Sequence, residues 1–176
     1  MLIACAIGVF VLVAYNFRHN IHRVGRHLYY GRGVPENKEL GMVFLYIASF
    51  LGHDESPYII ASNYGVGATV EKDYKKAVEW CRKSAERDNK YAQYRLAECY
   101  ECDSMGAYRD YEQAFRWMHS SAVQGYPKAQ YRLHFYYVKG RGVEPDTIAA
   151  SYWLETAAKN GYEPAKKELK KWDEGI

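Results

Sequence analysis

The chain has 176 residues, about the size of one ordinary domain. Hydrophobic residues make up 48% and charged residues 26%, which excludes wholesale disorder, while 5 Pro and 14 Gly exclude collagen-like and low-complexity sequence. The net charge of +3 is unevenly placed. The first 35 residues carry four arginines and no acid, whereas the remainder holds 20 bases against 21 acids, too neutral for a dedicated nucleic-acid binder.

The chain begins with an apolar run, Leu2 to Tyr15, LIACAIGVFVLVAY. As a helix extended to Phe17 it would span roughly 21–24 Å, short of the about 30 Å of a bilayer core. A short membrane anchor, a signal-peptide core and a buried helix all suit such a run. Only Met1 precedes it and Tyr15-Asn16-Phe17-Arg18 follows it, features that disfavour a cleaved signal. The expectation is therefore an anchor over residues 1–17 and a body over 18–176. Arg18, Arg23, Arg26 and Arg32 all follow the run, so the positive-inside rule places the body in the cytoplasm, with the periplasm as the alternative. His19, His22 and His27 lie among them. No carboxylate precedes Glu36, so these histidines read as a solvated basic flank at lipid headgroups rather than as metal ligands.

Beyond this point the chain repeats itself. DYKKAVEWCRKSAERDNKYAQYRL, DYEQAFRWMHSSAVQGYPKAQYRL and DTIAASYWLETAAKNGYEPAKKEL align without gaps. Trp80, Trp117 and Trp153 are 37 and 36 residues apart, and Asp73, Asp110 and Asp146 keep that spacing. A degraded first copy puts Asn37 at the Asp position and Phe44 at the Trp position. An apolar column runs Val24, Ile60, Leu96, Leu133, Leu169, and a second runs Leu28, Tyr64, Tyr100, Tyr137. These columns define repeats at 20–55, 56–91, 92–128 and 129–164, with a capping helix at 165–176.

Each repeat encodes two helices. Ala92, Leu96 and Tyr100 recur at i, i+4 and i+8 and mark the buried face of a first helix. A Gly-containing loop then ends in Asn37, Asp73, Asp110 or Asp146, whose side chains can accept an orphan backbone N–H. The second helix carries small residues around an aromatic and stops at Gly52, Gly125 or Gly161, which favour the left-handed cap. Asp88 replaces that glycine in the second repeat, so its turn should be more strained. An extra residue lengthens the loop of the third repeat around Cys102–Ala107. The Trp and Tyr columns are expected to be core.

This pattern resembles the SEL-one-like repeat (SLR) family, relatives of the tetratricopeptide repeats. Ala129, Leu133, Tyr137, Gly140, Gly142, Val143, Asp146, Ala150, Trp153, Ala157, Ala158 and Gly161 satisfy the family pattern within one repeat. The resemblance covers residues 20–172. It implies an all-α, right-handed α-solenoid of about four helix-turn-helix repeats preceded by the N-terminal apolar helix. Ala97 and His134 stand where the pattern has Gly, and looser packing is expected there. The resemblance implies protein–protein binding and scaffolding, in bacteria often at the envelope, without catalysis. The leading expectation is a membrane-tethered adaptor that binds a partner protein in its concave face. One alternative is a bacterial immunity protein that neutralises a secreted toxin. The other is a hydrolase of a cysteine-rich SLR branch, but the positions of that branch's stapling cysteines are held here by Ala85 and Ala92.

The candidate partner-binding residues are Tyr58, Tyr94, Arg95, Glu98, Tyr131, Arg132 and Phe135. They lie two, three and six positions after the small residue that opens each first helix, pointing away from its buried face. Tyr and Arg are enriched at binding hot spots, while stacking between repeats is the competing use of the same rings. No cofactor, metal or small-molecule substrate is expected. Cys99 and Cys102 form a lone C-x-x-C, and Cys81 beside Trp80 reads as a buried small apolar residue. Gly31-Arg32-Gly33 and Gly140-Arg141-Gly142 lack the preceding strand and the G-K-[ST] of a phosphate loop and are repeat loops.

Overall fold

A computed structural model of the chain describes the backbone of residues 2–101 and 109–173, with side chains over 16–101 and 109–171. The loop insertion around Cys102–Ala107, Cys102 itself and the side chains of the apolar run through Tyr15 lie outside the described residues. Among those described there are nine helices and no strand: α1 (Leu2–Tyr30), α2 (Lys38–Phe50), α3 (Glu55–Val66), α4 (Tyr74–Ala85), α5 (Lys90–Glu101), α6 (Tyr111–Val123), α7 (Pro127–Lys139), α8 (Thr147–Lys159) and α9 (Glu163–Asp173). They form two compact units, Met1–Trp80 and Cys81–Ile176.

The helix boundaries follow the cap residues read from the sequence. The side chains of Asn37, Asp73, Asp110 and Asp146 each accept a hydrogen bond from a backbone N–H in the first turn of α2, α4, α6 and α8, at 2.9–3.0 Å. Gly52, Gly125 and Gly161 all adopt positive φ. Asp88 does so too, at 60°, and is the one non-glycine among the described residues in that region, as its substitution for the repeat glycine implies.

In the first unit, α1 packs on α2 and α2 on α3. Gly41 makes the α1–α2 contact possible: a Cβ there would lie 2.7 Å from the Tyr29 backbone nitrogen and 2.9 Å from the Gly25 carbonyl oxygen. Around this crossing Tyr29, Met42, Leu45, Ile59 and Ile60 form a core, flanked by Tyr46, Tyr64 and Trp80. The buried face of α1 runs through His22, Gly25 and Tyr29, one position beyond the column that the repeat register assigns to it. Val24, expected in the core, is exposed, because the glycine crossing turns Gly25 toward α2.

In the second unit, α5 packs on α6, α6 on α7, α7 on α8 and α8 on α9. The buried residues of α5 recur one repeat later on α7: Ala92 and Ala129, Gln93 and Gln130, Leu96 and Leu133, Ala97 and His134, Cys99 and Tyr136. His134 does not loosen the packing as expected from the lost glycine. It is fully buried, and its Nδ1 lies 3.1 Å from the Ala150 carbonyl oxygen. The Trp column is core only in part. Trp153 is buried, whereas Trp80 and Trp117 are half-buried. In each second helix the residue after this aromatic, Leu45, Cys81, Met118 or Leu154, is buried, at 5% exposure or less.

Polar side chains fix the register of successive repeats. The Gln93 amide donates to the Ala85 carbonyl and the Gln130 amide to the Ala122 carbonyl, at 3.1 and 3.0 Å. Each glutamine oxygen in turn accepts from the residue that ends the second helix of its own repeat, Gln93 from Gln124 and Gln130 from Asn160, both at 2.8 Å. Buried amides satisfied on both ends stabilise a single alignment of the helix pairs.

Candidate interaction surfaces

The second unit gathers six of the candidate binding residues. Tyr94, Arg95 and Glu98 project from α5, and Tyr131, Arg132 and Phe135 from α7. Arg132 joins the two helices through an ion pair of its Nη2 with the Glu101 carboxylate, and Arg95 Nη1 lies 2.9 Å from Glu98 Oε2. The Arg132 and Arg95 side chains remain 40% and 59% exposed. Tyr94 stands edge-on to Tyr126 at 5.2 Å, while Tyr131 stands edge-on to Phe135 at 5.0 Å and tilted against Tyr162 at 5.3 Å. Tyr126 and Tyr162 occupy equivalent places just before α7 and α9. Burial first, then the adjacent Glu98, raises the Tyr94 pKa, so its hydroxyl stays a neutral donor. The rings thus pack within the repeats and keep a partly accessible face. Tyr58 lies half-buried on α3 in the first unit.

Tyr136 escaped the sequence reading, which favoured Tyr137. It is 2% exposed beneath this stripe, and burial, followed by the Glu101 carboxylate, raises its pKa. Cys99, at the equivalent position one repeat earlier, is buried as well. Cys81 and Cys99 are both buried, and burial pushes Cys81 up to about 12, leaving it protonated and unreactive.

In the first unit, the histidines of α1 do not form a uniformly solvated flank. His22 is buried: its Nδ1 lies 2.8 Å from the Ser56 hydroxyl and its Nε2 3.2 Å from Glu55 Oε2. The His53 ring stacks on it at 3.8 Å, with planes 11° apart, and His19 meets His53 edge-on at 4.6 Å. The sequence reading missed His53 because it lies outside the helices, after Gly52. Burial first, then the His22 ring, brings its pKa down to about 4. The neighbouring His22 ring also holds the Glu55 carboxyl below the usual range. Beside this stack an open groove of about 600 Å³ runs along α1, with Asp54 and Glu55 at its wall and Arg23, Arg26, His27 and Arg32 along its length. Among the described residues no group of His, Cys, Asp or Glu is arranged to hold a metal ion, and no helix is long and apolar enough to cross a membrane.

The Sel1 repeat profile matches residues 21–53, 58–89, 90–126 and 127–162, so the chain belongs to the Sel1 repeat family. Among solved structures it is similar to a Sel1 repeat protein from Oxalobacter formigenes, with 28% identity and a TM-score of 0.79 over 88% of this chain and 63% of that one. It is also similar to c5321, a protective antigen of uropathogenic Escherichia coli with an SLR fold, at 24% identity and a TM-score of 0.81 over 90% of this chain and 34% of that one. A third likeness is to Pseudomonas aeruginosa 5086, at 22% identity and a TM-score of 0.57 over 86% of this chain and 56% of that one. The chain thus spans less than two thirds of each of these proteins. A comparison with curated proteins found no match. The fold is the all-α solenoid type of the SLR proteins. Sel1 repeats generally form non-catalytic scaffolds that bind other proteins.

Proposed function

We propose that the chain, as a member of the Sel1 repeat family, is a membrane-tethered adaptor whose partner protein docks on the α5–α7 stripe. The observation that carries this reading is the recurrence of an aromatic beside an arginine on two successive first helices. Tyr94 with Arg95 and Tyr131 with Arg132 are held by ring contacts to Tyr126 and Tyr162 and by the Arg132–Glu101 pair, with both arginine side chains still partly accessible. Side chains already ordered in the free protein lose little entropy on binding, and Tyr and Arg are the common anchors of interfaces.

The tether is the apolar run of residues 2–17. Support comes from its composition, from the basic flank that follows, and from the packing at its end. Arg18 Nη1 donates to the Gly52 carbonyl oxygen at 3.2 Å, so Phe50 and Leu51 stand at the level where the run leaves the helix pair. Phe50 is 90% exposed there and Phe17 58%. Apolar side chains at the base of an apolar helix suit the edge of a bilayer.

Full-length protein captured from native membranes, with partners identified by mass spectrometry, supplies a ligand for binding measurements. Tyr131→Ala and Arg132→Ala should each weaken the affinity about 30-fold, equivalent to about 2 kcal/mol, with folding checked by circular dichroism. Unchanged affinity in both folded variants overturns the docking site. The full chain should sediment with membranes and resist high salt, whereas a chain beginning at Arg18 should stay in the supernatant. Equal behaviour of the two removes the tether.

A further inference from the structure

The groove along α1 carries chemistry that the α5–α7 stripe lacks. His22, Arg23 and Arg26 occupy the repeat positions held by Tyr94, Arg95 and Glu98 in the third repeat and by Tyr131, Arg132 and Phe135 in the fourth. In the first repeat the aromatic places are thus given to bases. From His19 to His27 these side chains follow one face of α1 for about 12 Å of helix, and Arg32 continues the line in the loop beyond.

We propose that this groove binds an extended, carboxylate-rich segment of a partner protein. The inference rests on the partner-binding reading only in taking the ligand to be a protein. Three observations carry it. First, Arg23, His27 and Arg32 form no ion pair with any described residue; Arg32 only lies over the Tyr30 ring, at 5.4 Å. Second, the groove already receives one carboxylate. Glu55 Oε2 sits 3.2 Å from His22 Nε2 and 3.5 Å from Arg26 Nη1, which shows how the wall meets an acid. Third, the groove is open, measures about 600 Å³ and is lined by α1 residues from His19 to His27 and by Arg32 beyond them, more room than one small anion fills. At about 3.3 Å per residue, an extended chain would set about four residues against the span from His19 to His27. A lipid surface met end-on by α1 would touch its first turn past the apolar run and leave Arg26, His27 and Arg32 unused.

The test uses the full-length protein in a non-ionic detergent, with fluorescein-labelled hexaglutamate as the probe and labelled hexaglutamine as its control, read by anisotropy. The hexaglutamate should bind saturably, weaken as salt is raised from about 50 to about 200 mM, and exceed hexaglutamine at every salt concentration. The double variant Arg23→Gln/Arg32→Gln should lose at least about tenfold in affinity, and Glu55→Gln, which removes the resident carboxylate, should tighten binding. Arg116→Gln, at an exposed position of α6 outside both surfaces, should bind the peptide as the parent does. Because the stripe is read with the captured partner and the groove with the peptide, failure of one and failure of the other can be told apart. No preference for hexaglutamate, or an unchanged affinity in the double variant, overturns the proposal. So does hexaglutamate failing while inorganic phosphate, or vesicles containing phosphatidylserine, bind in a way that depends on Arg23 and Arg32; the groove would then be a phosphate or headgroup site.

Discussion

The side-chain amide of Gln124 donates to the Gln93 side-chain oxygen at 2.8 Å, while the Gln93 amide donates to the Ala85 carbonyl. Gln93 is 2% exposed, so no water replaces what it loses. Gln93→Ala leaves a buried carbonyl and the Gln124 amide without partners and should cost about 1–3 kcal/mol in urea unfolding. Gln124 is exposed, and Gln124→Ala removes one bond from a group that solvent can reach, so it should cost less than Gln93→Ala. The reverse order would mean that Gln93 does not hold the helices on either side of it in register.

The two helices of each repeat were legible because their signals are local. An Asx cap, a glycine stop and a small-residue face act within a few residues, and all four Asx caps formed. What the sequence hid depends on how helices cross. The aromatic of each second helix, Phe44 in the first and Trp in the rest, draws the eye, yet a more deeply buried position falls one residue later, at Leu45, Cys81, Met118 and Leu154. Val24 is exposed for a similar reason: a close glycine crossing rotates α1, and no periodicity in a half-apolar, half-basic helix reveals that rotation. The residues of the α5–α7 stripe could be listed from the repeat register, but their ring partners Tyr126 and Tyr162 lie before the helices that follow and were not linked to it. His53 joins two histidines more than 30 residues earlier, a contact with no sequence pattern to announce it.

The burial pattern sets an order for core truncations in the second unit. Met118 is fully buried, and Met118→Ala should cost roughly 2–5 kcal/mol. Trp153 is 9% exposed, so Trp153→Ala should fall near roughly 3–5 kcal/mol, and Trp117→Ala, at a half-buried position, should cost less than Trp153→Ala. Chemical unfolding of the three variants checks the order. A Trp117→Ala cost equal to that of Trp153→Ala would restore the Trp column as a uniform wedge.

The histidine stack makes the first unit sensitive to acid. The folded pKa of His53 is about 4, below its ordinary 6.5, so the unfolded chain binds more protons between those values. Stability is therefore fully present above about 6.5 and falls as the pH drops toward 4. At 1.36 kcal/mol per unit the loss is at most roughly 3 kcal/mol. Burial comes first, His22 and His19 oppose the charged ring and Asp54 and Glu55 favour it, and the value of about 4 is the balance of all of these. Glu55, whose pKa is depressed, adds a loss of the same sign at the acid end. Thermal unfolding should drop steeply between pH 6.5 and 4, and His53→Gln should flatten that dependence. A parallel profile in the variant would place the acid sensitivity elsewhere.

Two glycines of the first unit should respond to alanine with opposite signs. At Gly41 a Cβ would stand 2.7 Å from the Tyr29 nitrogen and 2.9 Å from both the Tyr29 Cα and the Gly25 oxygen. All three are backbone atoms, so relief requires α1 to move away from α2, and the core around Met42 and Leu45 opens with it. Overpacking of this kind costs about 1–3 kcal/mol. At Gly65, within α3, the nearest atom to a new Cβ is the Ala77 Cβ at 4.0 Å, an ordinary contact, and φ is not positive. There alanine brings only its better helix propensity, worth up to about 1 kcal/mol. Gly41→Ala should therefore lower the unfolding midpoint and Gly65→Ala raise it. Because α1 also walls the basic groove, Gly41→Ala should weaken hexaglutamate binding as well, while Gly65→Ala leaves it unchanged. A Gly41→Ala protein as stable as its parent would show that the two helices do not cross as closely as these distances require.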